Sequence, residues 1–393
     1  MTSALSNIYG RQAVSFTHGQ GVWLWDAQGR RYLDALSGIG VTCLGHAHPT
    51  LVKAICDQAS KVIHTSNIYE IEHQEKLAQE LVRLSGMTEV FFANSGSEAN
   101  EGAIKLARMY GHKRGIKVPT IISMESSWHG RTLGTLAATG STKAREGFDP
   151  LPEGFMQVRY NDIAALEAAG DQCPDVVAVL LEVVQGEGGI RPTEASYLKA
   201  VRDLCTARGW LLMIDEVQAG MGRTGKWFSY EWAGIQPDVV TLAKGLGGGV
   251  PIGAVIATGP AAGVLQPGQH GTTFGGGPLV CAAGLAVLET IESDKILDNV
   301  NQVGAHLVKR LQDGLAGLDG VREIRGKGLM LGIELDRPCA ILVPQALEQG
   351  LLINVTRDSV VRLLPPLILS MEEADTLADT LISLIQQFLQ DKG

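Results

Sequence analysis

The sequence predicts an α/β protein: a large, mostly parallel sheet flanked by helices, joined to a smaller α+β part built from both chain ends. Three observations predict it. Short apolar runs, Val90-Phe91-Phe92-Ala93, Thr120-Ile121-Ile122-Ser123, Val176 to Leu181, Trp210 to Ile214 and Val239 to Ala243, alternate with helical periods through the middle of the chain. Strands without polar alternation are buried on both faces. After Glu289 the texture changes to amphipathic helical spacing around two further apolar runs. Finally, 393 residues exceed one domain at roughly 150 residues each. The expected division is a large domain over 51–289 and a small one from 1–50 with 290–393.

Taken in order, Gly21 to Asp26 and Arg31 to Asp34 read as a β-hairpin that packs with the C-terminal part. Asn94-Ser95-Gly96-Ser97-Glu98-Ala99-Asn100 follows the run ending at Ala93 and opens a helix carrying Ile104, Ala107 and Arg108; Ser95 and Glu98 have capping-box spacing. Gly245 to Leu288 contains no Asp, Glu, Lys or Arg, yet its glycines and prolines interrupt it too often for a membrane span, so it is expected to form buried turns and short strands. Lys295 to Leu318 and Glu372 to Phe388 read as helices framing strands Gly328 to Leu335 and Leu351 to Val355.

Composition narrows the function. Lys and Arg number 33 against 42 Asp and Glu, a net charge of −9, and no basic run offers a phosphate-backbone footprint, so a nucleic-acid partner is not expected. The opening Met1-Thr2-Ser3-Ala4-Leu5-Ser6 shows no secretory pattern, and a cytoplasmic protein without membrane contact is expected. The six cysteines form no Cys-x-x-Cys pair and are read as mostly buried, reduced thiols. His46-Ala47-His48 has no carboxylate near it in sequence and is read as a turn rather than a metal site.

The chemistry concentrates at two strand ends. The run Trp210 to Ile214 ends in Asp215-Glu216, and Val239 to Ala243 ends in Lys244, followed by Gly245-Leu246-Gly247-Gly248-Gly249. Both groups therefore lie at the carboxyl edge of a sheet, where open α/β sheets bind ligands. A lysine directly after a mostly apolar strand run loses hydration, which favours its neutral, nucleophilic form. An Asp beside such a Lys is the pair pyridoxal 5′-phosphate uses; taken alone, the pair reads rather as a strand-end aspartate and a surface lysine of an ordinary α/β protein. The Ser95 loop supplies helix N-terminal N–H groups for a phosphate. A nicotinamide fold needs Gly-x-Gly-x-x-Gly opening a helix, and neither glycine segment has it; no P-loop is present either.

Together with Gly45-His46-Ala47-His48-Pro49, Phe92 to Glu101, His129-Gly130-Arg131-Thr132, Gln185-Gly186-Glu187-Gly188-Gly189, Asp215-Glu216-Val217-Gln218, Gly222-Arg223-Thr224-Gly225, Lys244-Gly245, Pro251 to Ala254 and His270 to Gly276, these residues resemble the class III (ornithine-type) aminotransferases of PLP fold type I over essentially the whole chain. The resemblance implies that Lys244 attaches the cofactor, Asp215 pairs with its pyridinium, Val217 packs on the ring and Gln218 lies near its phenolic oxygen. It implies phosphate binding by Gly96 and Ser97, and by Thr273 toward the neighbouring subunit, hence a homodimer with shared active sites. Trp128 stands where relatives commonly carry the stacking Phe.

The resemblance also implies substrate-binding roles for Arg131, Glu187 and Arg362: Arg362 takes the carboxylate of glutamate or 2-oxoglutarate, Glu187 neutralises it in the other half-reaction, and Arg131 grips the far carboxylate. Gly38-Ile39-Gly40-Val41 lacks the tyrosine by which ornithine-specific relatives recognise a free α-amino group. An acylated substrate such as N2-acetylornithine is therefore expected, because an apolar site solvates an ammonium poorly. Succinylornithine, N-succinyl-diaminopimelate, ornithine and γ-aminobutyrate stay open as substrates at this point. So do a racemase, mutase or decarboxylase of the same fold. A non-catalytic binder is disfavoured, because it needs neither the amine nor the charge switch.

Overall fold

The computed structural model describes residues 4–390. Met1 to Ser3, the start of the segment expected to carry no secretory pattern, and Asp391 to Gly393, the end of the expected small domain, lie outside the described residues.

The chain opens with β1 (Phe16–Gln20), β2 (Trp23–Asp26) and β3 (Arg31–Asp34), an antiparallel meander that contains the expected hairpin. The middle supplies β4 (Glu89–Ala93), β5 (Thr120–Met124), β6 (Phe155–Val158), β7 (Val176–Leu181), β8 (Val184–Gln185), β9 (Arg191–Pro192), β10 (Leu211–Asp215), β11 (Val239–Leu242) and β12 (Gly253–Ala257). The last third adds β13 (Val321–Lys327), β14 (Met330–Leu335), β15 (Leu351–Leu352), β16 (Asn354–Thr356) and β17 (Val360–Leu363).

Seven strands form the central sheet in the order β4-β12-β11-β10-β7-β5-β6. Only β12 runs against its neighbours. Every residue of β5, β7, β10, β11 and β12 is buried, which is why these strands read as unbroken apolar runs. The consequence for function is directional: the parallel strands β7, β10 and β11 end at one edge and deliver Glu182, Asp215 and Lys244 to it.

The chain ends fold together. β15 pairs in parallel with β3, Leu351 opposite Leu33, so the N-terminal hairpin shares a sheet with the C-terminal part. A second antiparallel sheet runs β13-β14-β17-β16. Helices Ile296–Gly314 and Met371–Gln390 cover these sheets through Val300, Val303, Leu307, Leu311, Leu377, Leu381 and Leu384, the three-to-four spacing of a single buried face.

Some expectations need correction. Gly245 to Leu288 is not only turns and strands: its last part opens the helix Pro278–Ser293. That helix is apolar around most of its circumference, so no polar face reveals its period. Gly328 and Leu329 form the turn between β13 and β14 rather than strand, and the run from Leu351 breaks at Ile353 into strands of two different sheets. All six cysteines are free; Cys43, Cys205, Cys281 and Cys339 are buried, but Cys56 is exposed. His46 does meet a carboxylate, Asp34, at 2.8 Å, reached through the fold rather than along the chain.

Gly253 shows how tightly the sheet and the Ser95 loop are joined. A Cβ there would lie 2.4 Å from the Ser95 carbonyl oxygen. Gly253→Ala should destabilise the protein by about 1–3 kcal/mol, as overpacking against backbone does. Urea unfolding tests this: the midpoint should fall at unchanged slope, and an unchanged midpoint contradicts the packing.

Candidate active site

A cavity of about 430 Å³ opens at the carboxyl edge of the central sheet, lined among others by Val41, Ser95, Gly96, Ser97, Trp128, Arg131, Glu187, Asp215, Val217, Gln218 and Lys244. Ten of the sequence-derived site residues thus bear on one region; nine line the cavity itself and Arg362 reaches it through Glu187. Thr273 does not line it and is exposed in its Gly-rich loop.

Asp215 is the most firmly held group. Its Oδ2 accepts hydrogen bonds from Asn100 Nδ2 and His129 Nδ1, both at 2.8 Å, and its Oδ1 accepts from Val217 N at 3.0 Å. Asn100 is itself oriented by Thr241 on the neighbouring strand, whose hydroxyl donates to Asn100 Oδ1 at 2.8 Å. Asp215, Asn100, His129 and Thr241 are buried, where polar groups are ordinarily hydrogen-bonded. His129 Nε2 is buried with no protein partner among the described residues.

Lys244 follows β11 in a left-handed conformation, φ +44°, at the start of a short 3₁₀ turn. A non-glycine residue there is uncommon and strained, and such strain persists where surrounding structure dictates it. Its ammonium has no hydrogen bond or ion pair among the described residues. Burial, reinforced by the Arg362 charge, lowers its pKa to about 8. The direction is the one expected for a lysine that follows a buried strand.

The helix Gly96–Lys113 begins at the cavity. Ser95 Oγ caps it by accepting from Glu98 N at 3.2 Å. The reciprocal half of the expected capping box is displaced: Glu98 accepts from Asn94 N and Asn94 Nδ2, each at 2.7 Å, instead of turning back to Ser95. The N–H groups of Gly96 and Ser97 have no intrahelical acceptor and carry the helix's partial positive charge, which suits an anion. Gly96 is required by contact: a Cβ would lie 2.6 Å from Val217.

Arg362 is fully buried on β17. Its Nη1 donates to Glu187 Oε1 at 2.5 Å and to Gln218 Oε1 at 3.3 Å, and its Nε to Asn354 Oδ1 at 2.9 Å. Arg131 is exposed at the rim, its guanidinium 4.3 Å from the centroid of Trp128. Sequence reasoning assigned no role to Asn100, His129, Asn354 or Glu182. Glu182 follows β7 directly, and its carboxylate accepts from Trp128 N and Gly186 N, both at 3.0 Å. Burial pushes its pKa up to about 7. A carboxylate at the end of an apolar strand, at the same edge as Asp215, was the signal that could have found it.

Comparison with known proteins agrees with this geometry. The Aminotransferase class-III family pattern matches residues 6–385. The chain belongs to the class III aminotransferases. It is 68% identical over 389 residues to acetylornithine aminotransferase 1 of Bordetella bronchiseptica, covering 99% of each chain, and 52% identical over 390 residues to acetylornithine aminotransferase of Nitrosomonas europaea, again covering 99% of each. Among solved structures it resembles N-acetylornithine aminotransferase from Stenotrophomonas maltophilia, with TM-score 0.85, 37% identity and coverage of 97% of this chain and 98% of that one. It also resembles ornithine aminotransferase from Toxoplasma gondii, with TM-score 0.95, 31% identity and coverage of 99% and 94%.

The Lys244 environment makes a pH prediction. In the ligand-free protein the neutral amine is half-formed at about pH 8, so modification of Lys244 by reductive methylation should rise through that pH and level off while ordinary lysines are still mostly protonated. Peptide mapping across a pH series measures it. A Lys244 profile that rises only with the surface lysines contradicts the assignment.

Proposed function

We propose that this class III aminotransferase uses pyridoxal 5′-phosphate to move the δ-amino group of N2-acetylornithine to 2-oxoglutarate, giving N-acetylglutamate 5-semialdehyde and glutamate, a step of arginine biosynthesis. The observation that carries the reading is the buried Arg362 paired with a part-exposed Glu187, beside a Lys244 that has no hydrogen bond or ion pair among the described residues. The names of the relatives at 68% and 52% identity point to the same substrate.

The cofactor fits the residues present. Lys244 offers a free amine, Asp215 a buried carboxylate with fixed orientation, Gly96 and Ser97 open N–H groups for the phosphate, and Val217 and Trp128 apolar surfaces for the ring. When bound, pyridoxal phosphate supplies an electron sink that lets the carbon bearing the amino group lose its proton. Asn100 and His129 fix the orientation of the Asp215 carboxylate, which would pair with the pyridine nitrogen of the bound cofactor. Lys244 Nζ, poised near neutrality, takes the proton from the substrate carbon and returns it on the other side of the exchange.

Substrate choice follows from charge. In the glutamate half-reaction a carboxylate lies beside the reacting carbon, and Arg362 holds it in place of Glu187. In the acetylornithine half-reaction no carboxylate lies there, and Glu187 covers Arg362. Arg131, at the rim against Trp128, takes the distal carboxylate of either substrate. Val41 presents an apolar wall and no hydroxyl, which suits an acylated amine over a free ammonium. Thr273, exposed and outside the cavity of its own chain, completes the site of a second copy, making the enzyme a homodimer. The working division remains a large domain over 51–289 and a small one from 1–50 with 290–393, in a cytoplasmic protein; no helix among the described residues is long and apolar enough to cross a membrane.

Two experiments test the reading. Borohydride reduction of the cofactor-loaded protein followed by peptide mapping should place the pyridoxyl group on Lys244, and a label on another lysine overturns its role. Arg362→Ala should slow the glutamate half-reaction by roughly 30- to 5,000-fold, the equivalent of about 2–5 kcal/mol for a charge-assisted partner, with a much smaller loss toward acetylornithine. Glu187→Gln should show the opposite asymmetry in single-turnover measurements. Equal losses in both halves contradict the switch.

A further inference from the structure

Glu187 sits at the tip of the β8–β9 hairpin, and the main chain of that tip is held from three sides. Glu182 accepts from Gly186 N at 3.0 Å. Thr356, on β16, donates its hydroxyl to the Glu187 carbonyl at 2.6 Å. Arg325, on β13, donates from Nη2 to the Gly189 carbonyl at 2.7 Å and from Nε to the Ile190 carbonyl at 3.0 Å. Its Nη1 is taken by Glu323 at 2.7 Å and by Glu334, so the guanidinium is aimed and its charge matched without help from the loop.

Packing reinforces these bonds. Ile190 has φ +50°, a conformation β-branched residues avoid, and is held there fully buried against Val184, Ala219, Met330 and Leu364. The glycines flanking Glu187 leave no slack: a Cβ on Gly186 would lie 2.1 Å from Gln218 Oε1, and one on Gly188 2.8 Å from the Ser126 carbonyl oxygen. The Glu187 side chain, by contrast, is one-third exposed and held by Arg362 alone. The loop is fixed in its backbone and free in one side chain.

We propose that Thr356 and Arg325 are positioning residues of the charge switch: they fix the main chain at Glu187, so the carboxylate leaves Arg362 by side-chain rotation alone and returns to the same place. The proposal rests on the Arg362–Glu187 switch described above. Rotation on a fixed backbone reorders one side chain, whereas a mobile loop loses backbone freedom each time Glu187 returns to Arg362. Loosening the loop therefore weakens the covered state of Arg362 and leaves the uncovered state nearly as it was. The loss falls on the acetylornithine half-reaction.

Thr356→Val keeps the side-chain shape and removes the hydroxyl. It should slow the acetylornithine half-reaction by about fivefold, the effect of one ordinary hydrogen bond, and leave the glutamate half-reaction within about twofold. Thr356→Ser, which keeps the hydroxyl, should restore the wild-type ratio, and Arg325→Lys, which loses the forked contact, should act like Thr356→Val. In the ligand-free protein, amide hydrogen exchange at residues 187–190 should quicken in Thr356→Val while β13 and β17 stay as protected as before. Added to Glu187→Gln, Thr356→Val should change neither half-reaction further. If Glu187→Gln is asymmetric but Thr356→Val slows both halves equally, or exchange at 187–190 is unchanged, the positioning role is overturned and the switch stands. If Glu187→Gln slows both halves equally, the switch itself fails and the proposal with it.

Discussion

A guanidinium buried at the heart of a binding cavity requires a negative partner in every state of the reaction cycle. Arg362 is fully buried and, among the described residues, meets its opposite charge only in Glu187, the remaining contacts coming from the neutral amides of Asn354 and Gln218. Leaving a buried charge uncompensated costs several kcal/mol. On the proposed function, the site is organised around an exchange of carboxylates on one arginine. In that proposal Glu187 and the substrate alternate, so the chemistry at Lys244 would proceed beside a field whose net charge hardly changes.

The fold makes that exchange local. Parallel strands bring Asp215 and Lys244 to one edge, and Thr241, on the strand that leads to Lys244, also fixes Asn100, which fixes Asp215. Arg362 comes instead from the sheet built by the end of the chain, and it reaches the cavity because β17 lies beside β14 and β16. The hairpin tip with Glu187 is clamped onto that sheet by Thr356 and Arg325. Reaction centre and charge switch thus belong to different sheets joined at one loop.

How much of this the sequence shows depends on the range of the interaction. Asp215 and Lys244 are legible as neighbours because each ends a short strand run of one sheet, although their chemical role needed the further motifs. The Ser95 loop is legible because a cap and a helix lie within seven residues. Glu187 and Arg362 are 175 positions apart, and no spacing rule links them; only the family resemblance did. Asn100 and His129 looked like parts of motifs, and their convergence on Asp215 appears only when the sheet and the helix Gly96–Lys113 are packed together. The helix Pro278–Ser293 escaped notice because a helix buried on most sides has no polar face to mark its period.

The direct test of the central claim removes both charges at once. If Arg362 needs Glu187 only as the counter-charge of a buried ion, then Glu187→Gln combined with Arg362→Met removes the charge and its partner together, a replacement that buried ion pairs often tolerate. The account predicts that this double variant recovers most of the acetylornithine half-reaction lost in Glu187→Gln alone while the glutamate half-reaction stays impaired. An acetylornithine half-reaction as slow in the double variant as in Glu187→Gln would contradict it.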